Sequence, residues 1–309
     1  MDGLNLLAEG FSWILGRIIF IGALIPFFMY LVEKLKKSIH IFQLNQYGFL
    51  RYFKWLKRNF KEVFLTFELV LLLFIRTFYV RDFSEIFYLC LILIFGVYLF
   101  LFKTWKKTFE KKPLVYTPKI KRLITTISLL IIVAIFLSIR FGDDLTFFLT
   151  IISISYLSYL IVILGTIINL PLEKSINFYY INDAKRKIRS LMRLEVVGIT
   201  GSYGKTSTKN FLNEILLTKY NSLATPRSIN TKLGLTITIR KELSALHDIF
   251  IAEMGAYKPG EIKELTRFVK PKYGILTKIG PAHLEYFGSI KNIQKTKFEL
   301  IEALPEDGI

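Results

Sequence analysis

Cysteine is almost absent. The 309 residues hold one, Cys90, so a disulfide within the chain and a cysteine-based metal site are both excluded. Cys90 sits in an apolar run and reads as a small buried hydrophobe. Acid is scarce too: 24 Asp and Glu face 42 Lys and Arg, a formal net charge of +18. The polarity of a wholly soluble protein is also missing, since 52% of residues are hydrophobic and the mean hydropathy is +0.43. That composition implies membrane spans. In that setting the cations mark cytoplasmic loops and lie against anionic lipid, and nucleic acid is not expected as a partner.

Long apolar stretches run over Phe11–Val32, Val63–Val80, Ile86–Phe102, Leu123–Ile139 and Leu145–Leu170. Each is near the ~20 residues that a helix needs to cross the hydrocarbon core. The first has no basic leader and no small-residue cleavage site, so it is expected to remain as a span rather than leave as a signal peptide. Glu68 and Arg76 fall inside the second. They either mark an intramembrane path or, more simply, Arg76 snorkels outward while Glu68 faces a neighbouring helix. Trp13, Trp55 and Trp105 lie near span ends as interfacial anchors.

Cations set the orientation. Lys34, Lys36, Lys37, Arg51, Lys54, Lys57, Arg58 and Lys61 follow the first span, and Lys103, Lys106, Lys107, Lys111, Lys112, Lys119, Lys121 and Arg122 follow the third. Both segments are expected in the cytoplasm. The N-terminus and the short turns carrying Asp82, Glu85, Asp143 and Asp144 are expected outside. Five spans then leave everything after Pro171 cytoplasmic.

The predicted organisation is a multi-span α-helical membrane region over 1–171, a basic amphipathic linker helix over 172–194, and an α/β phosphate-loop domain over 195–309. In the linker Ile188, Leu191, Met192 and Leu194 fall near one helical face, suited to the membrane or to the next domain. Beyond it strands are predicted at 195–200, 221–224, 248–253 and 273–277. Helices are predicted at 205–218, 233–243, 259–269 and 290–303. That alternation means a mostly parallel sheet. A further strand would be starting at Pro305-Glu-Asp-Gly-Ile309, so the sheet is expected to be cut short in this chain.

Chemistry concentrates in Gly198-Ile-Thr-Gly-Ser-Tyr-Gly-Lys-Thr206. A strand, a glycine-rich turn and a Lys-Thr pair opening a helix aim backbone N–H groups at a nucleotide's phosphates. Thr200, Gly201, Ser202, Tyr203, Gly204, Lys205, Thr206 and Ser207 would line them, Lys205 adding a point charge and Thr206 a hydroxyl for Mg²⁺. Strict Walker spacing asks for glycine where Ile199 stands. Glu253 ends an apolar strand, where a phosphate-loop fold keeps its metal-positioning acid. His283 follows the last strand on the same sheet edge. His40 and His247 have no such context.

Four motifs in order resemble the central ATPase domain of the Mur ligase family: the phosphate loop through Lys209, Ala224-Thr-Pro-Arg-Ser-Ile-Asn-Thr-Lys-Leu-Gly234, Ala252-Glu-Met-Gly-Ala256 and Gly280-Pro-Ala-His-Leu-Glu-Tyr-Phe-Gly288. The second and third look most like the member that adds D-alanyl-D-alanine. The resemblance implies ATP-dependent amide ligation in bacterial cell-wall precursor synthesis, joining a precursor carboxylate to an amino acid or dipeptide amine through an acyl phosphate. Lys205, Glu253, His283 and Lys297 become the catalytic set, and Thr206, Glu253 and His283 the Mg²⁺ ligands. Lys297 matches a lysine that relatives carbamylate, although a solvated helix lysine is an equal reading of the residue itself. Asn230 and Thr231 match the substrate-reaching loop. An inner-membrane location implies lipid and other membrane-bound cell-wall enzymes as neighbours.

Two departures go with it. Membrane spans stand where soluble relatives bind the UDP-sugar, and the relatives' third domain has no counterpart in these residues, so the residues that would choose the specific substrate are not among them. A poly-γ-glutamate-type synthetase and a non-catalytic, membrane-bound phosphate-loop module remain open as alternatives.

Overall fold

The computed structural model describes residues 2–64, 68–70, 72–73, 96–100 and 113–309, with the backbone alone for 2–21, 23, 62 and 144. The expected second and third spans therefore lie mostly outside the described residues, as do Arg76 and Cys90. Two compact units divide at Glu173 and Lys174.

The first unit is helical: α1 (Asp2–Leu44), α2 (Phe49–Arg58), α3 (Phe60–Val63), α4 (Pro118–Phe141), α5 (Asp144–Tyr156) and the first part of α6 (Ser158–Ser190). Among the described residues α4 and α6 are long and apolar enough to cross a membrane, and Leu145–Tyr156 is a shorter apolar helix. Start signals are local. Pro118 opens α4 behind Thr117, whose hydroxyl accepts from the Ile120 N–H, and the Asp143 carboxylate accepts from the Thr146 N–H at the start of α5. Leu129, Ile132, Val133, Phe136 and Ile139 on α4 are each more than half exposed. A helix so apolar on its open side suits lipid rather than water. Charge is matched inside: Lys34 Nζ lies 2.6 Å from Glu68 Oε2 with both side chains buried. The Ser155 hydroxyl also donates to Glu68. Glu68 thus faces a neighbouring helix.

The expected fifth span, Leu145–Leu170, is not one helix. It breaks at Leu157 between α5 and α6, where Leu157 takes φ −89° and ψ 9° and its N–H is shared by the Ser153 and Ser155 carbonyls. Ser153, Ser155 and Ser158 crowd this stretch, and the Ser155 hydroxyl is turned to Glu68. The linker is likewise no separate helix but the end of α6. Since α6 stops at Ser190, Met192 leaves the apolar face and is 97% exposed.

The second unit is a four-stranded parallel sheet in the order β2-β3-β1-β4, from β1 (Glu195–Thr200), β2 (Ser222–Ala224), β3 (Ile249–Glu253) and β4 (Tyr273–Leu276). Its helices are α7 (Lys205–Leu216), α8 (Lys232–Lys241), α9 (Glu261–Val269), α10 (Leu284–Phe287) and α11 (Ile290–Phe298). The helix expected to reach 303 ends at Phe298, and a 3₁₀ turn, Ile301–Ala303, follows. Strand alternation fills both faces. Val197, Ile199, Ile249 and Ile251 pack with Leu212 and Leu216 of α7. Val196, Phe250 and Ala252 point the other way, into a core with Leu235 and Ile239 of α8, Ile262, Leu265 and Phe268 of α9, and Ala184 and Ile188 of α6. Pairing of β1 with both β3 and β4 sets Thr200, Glu253 and Leu276 at one end of the sheet. At the outer edge of β4 the Ile309 N–H donates to the Lys272 carbonyl and the Gly274 N–H to the Ile309 carbonyl.

Candidate functional site

Gly198 belongs to β1 rather than to the loop. A Cβ there would come within 2.8 Å of Leu300 Cδ1, so its glycine serves packing. The loop proper begins at Gly201, with φ +150°, where a Cβ would lie 1.9 Å from the Thr277 hydroxyl. That hydroxyl donates to the Thr200 carbonyl at 3.1 Å or the Tyr203 carbonyl at 2.7 Å. The Ser202 and Tyr203 N–H groups donate to the Lys278 carbonyl, and Ser202 Oγ to the Gly280 carbonyl at 2.9 Å. The segment after β4 thus braces the loop. Gly204, left-handed at φ 83°, caps α7 without a side chain and leaves the helix N-terminus open to an anion.

Lys205 folds back over the loop, its ammonium donating to the Gly201 carbonyl at 2.7 Å and the Ser202 carbonyl at 3.2 Å. Desolvation lowers its pKa, and Glu253 partly restores it. Glu253, at the end of β3 and 1% exposed, is held on both oxygens. Oε2 accepts from Thr206 Oγ1 at 2.9 Å and Lys209 Nζ at 3.1 Å, and Oε1 from Asn230 Nδ2 at 3.1 Å. The Glu253 N–H donates to Thr225 Oγ1.

A cleft beside the loop is lined by Lys205, Asn230, Tyr257, His283 and Lys297, among others. His283, left-handed at φ 59°, stands with its ring 4.5 Å from that of Tyr257. Lys297 on α11 is 4% exposed. Burial pushes its pKa down to about 8, the Lys205 charge adds to that, and Glu261 and Glu299 oppose it. Lys205, His283, Lys297 and Asn230 therefore share one cleft, and Glu253 with Thr206 is joined to it through Asn230. Thr231 does not turn that way: its hydroxyl caps α8 by accepting from the Gly234 N–H. Ser207 is exposed on the first turn of α7.

Among the described residues no three His, Cys, Asp or Glu side chains gather as a ligand set. Thr206 Oγ1 and Glu253 Oε2 still fit Mg²⁺, which takes one or two protein oxygens and completes its shell with phosphate and water. Imidazole is a poor Mg²⁺ ligand, so His283 fits that role less well.

Sequence reasoning missed Lys209, Thr225 and Tyr257. Lys209 carried a signal: it lies one turn after Lys205 on a helix face that turns to β3.

These features coincide with a known sequence family. Residues 199–309 match the Mur ligase middle domain. Over 116 residues the chain is 40% identical to the UDP-N-acetylmuramoyl-tripeptide–D-alanyl-D-alanine ligase of Mycobacterium leprae, covering 38% of this chain and 22% of that protein. The Bacillus subtilis ligase of the same name is 37% identical over 114 residues (37% and 25%), and the Escherichia coli one 35% over 122 (40% and 27%). The chain thus spans about a quarter of the length of these curated relatives. Among solved structures, MurF from Acinetobacter baumannii superposes with TM-score 0.41 and 30% identity over 43% of this chain and 29% of that one. MurF ligase from Thermotoga maritima in complex with ADP gives 0.40 and 35% over 42% and 30%. The matched residues include the phosphate loop from Ile199 onward, Glu253, His283 and Lys297.

Proposed function

We propose that this protein is a membrane-anchored, ATP-dependent amide ligase of cell-wall precursor synthesis. The observation that carries the reading is the Mur ligase middle-domain match over residues that also hold a phosphate loop whose helix is locked to Glu253 by Thr206 and Lys209. The relatives' name supplies the substrate pair: a UDP-N-acetylmuramoyl-tripeptide carboxylate and the amine of D-alanyl-D-alanine.

In this mechanism the open N–H groups at the N-terminus of α7 and Lys205 hold the β- and γ-phosphates. The γ-phosphoryl group passes to the acceptor carboxylate, the amine attacks the acyl phosphate, and inorganic phosphate leaves. Charge neutralisation is the main demand on the protein. Mg²⁺ held by Thr206 and Glu253 would supply part of it. Asn230 keeps the Glu253 carboxylate oriented, and His283 and Lys297 flank the acceptor side of the cleft. Lys297 in its ordinary form is a cation. Burial lowers its pKa to about 8, which brings the neutral amine within reach near neutral pH, and a neutral amine can take up CO₂. We therefore assign Lys297 as the carbamylation site, its new carboxylate serving the metal side of the cleft.

The apolar α4 and α6, with the cation-rich segments, support a multi-pass inner-membrane protein whose N-terminus is outside and whose phosphate loop is cytoplasmic. Trapping tests the chemistry. With ATP, muramoyl-tripeptide and hydroxylamine the protein should form the acceptor hydroxamate. ATP turnover in that mixture with no hydroxamate argues for a phosphate-loop module that ligates nothing.

A further inference from the structure

Helix α2 carries charge and apolar surface that neither the ligase site nor the helical core uses. From Lys36 to Lys61 the sequence has seven Lys and Arg and no Asp or Glu. One side of α2 is fixed. Tyr52 and Leu56 are buried, the Tyr52 hydroxyl donates to the Tyr159 carbonyl at 3.3 Å, and the Trp55 ring stacks on Tyr159. At ~100° per residue, Leu50, Phe53 and Lys57 follow one flank of the helix, and Arg51, Lys54 and Arg58 the side opposite the core. Leu50 is 81% exposed and Phe53 49%, and Phe60 just beyond is 58% exposed. Arg51, Lys54, Lys57, Arg58 and Lys61 are all exposed, and among the described residues none of them meets a carboxylate.

Three sectors in sequence around a helix (core, apolar flank, cationic crest) match the depth profile of a bilayer interface. Large apolar side chains left in water forgo the free energy of burial, and a nucleic-acid backbone offers no place to bury Leu50 and Phe53. An anionic leaflet takes both sectors, acyl chains against the flank and phosphates against the crest. Charge and position agree, because α2 directly follows the helix containing the first span on its cation-rich side.

We propose that α2 lies in the plane of the cytoplasmic leaflet and binds anionic phospholipid head groups through Arg51, Lys54 and Arg58, with Leu50 and Phe53 inserted at the acyl boundary and Lys57, between them, snorkelling up to the same head groups. This rests on the membrane-spanning reading. The test uses the full chain with Cys90→Ser and Phe53→Cys, bimane-labelled, in vesicles of phosphatidylcholine alone or mixed 3:1 with phosphatidylglycerol. Lipids brominated near the head group should quench the probe in the mixed vesicles, and aqueous iodide should quench it at least threefold less than free dye. The variant Arg51→Gln/Lys54→Gln/Lys57→Gln/Arg58→Gln, changed only at exposed positions, should retain less than half as much phosphatidylglycerol through purification. Free access of iodide, unchanged lipid retention, or protection of the probe only on adding a DNA duplex overturns the proposal. Extraction of the chain by alkaline carbonate overturns the membrane reading beneath it. A chain that resists carbonate while iodide reaches residue 53 overturns the α2 assignment alone.

Discussion

The Lys209 ammonium and the Glu253 carboxylate meet at 3.1 Å with both side chains 1% exposed. Lys209 also donates to the Arg227 carbonyl, so one cation ties the phosphate-loop helix to β3 and to the segment leading to Asn230. Removing one partner of such a pair strands the other charge in a dry site. Lys209→Met is expected to cost about 3 kcal/mol of stability, read as a lowered thermal midpoint. Lys209→Met/Glu253→Gln should cost less than the sum of the two single changes, since no unpaired charge is left.

Lys205 is a second cation near Glu253. Its ammonium is held by two loop carbonyls, which a phosphate can replace. Lys205→Ala should weaken ATP binding by about ten- to a hundredfold, the loss of a charged hydrogen bond of about 1.5–3 kcal/mol, with little change in thermal midpoint. Isothermal titration with ATP and Mg²⁺ checks both.

Gly201→Ala should act differently. The added Cβ would lie 1.9 Å from the Thr277 hydroxyl at φ +150°, so the loop must leave its brace. We expect loss of ATP binding together with a lower thermal midpoint. Gly201→Ala/Thr277→Ala should recover only part of the binding, because the backbone strain stays.

Lys297 gives a pH signature. Folding lowers its pKa from 10.5 to about 8, so between these values the unfolded chain binds more protons than the folded one. Its contribution to stability therefore rises with pH across that window and is flat below about 8. Lys297→Met should remove that slope. Under ¹³CO₂ a carbamate resonance should grow between pH 7 and 8.5 in the wild type and be missing in Lys297→Met.

At the end of α6, the Arg240 guanidinium lies 2.6 Å from the Asp183 carboxylate and 4.0 Å from the centre of the Tyr180 ring, and Lys187 donates to the Arg240 carbonyl. These contacts are partly exposed and add about 1 kcal/mol in all. Arg240→Ala should speed tryptic cleavage at Lys185, Arg186 and Arg189 several-fold while leaving the thermal midpoint within a few degrees.

The parallel sheet was legible because its strands are short apolar runs separated by helices, and because each glycine-rich turn sits where a strand ends. The break at Leu157 was not: α5 and α6 are apolar on both sides of it, so hydropathy runs through the break unchanged. Met192 was misplaced by extending a helical period past Ser190, where the chain turns. In the site, Lys205, Glu253, His283 and Lys297 could be picked out by chemistry and motif. The inward turn of Asn230, the capping role of Thr231 and the brace from Thr277 depend on which loops the sheet brings side by side. Lys209 was passed over because a lysine on a helix is ordinarily solvated, and only the packing of α7 against β3 buries it.

The ligase reading meets its most direct test in ADP release measured against substrate. With ATP and Mg²⁺, the account predicts ADP only when muramoyl-tripeptide and D-alanyl-D-alanine are both present, in step with amide formed. ADP released at the same rate without either substrate, and unchanged by adding both, would contradict it.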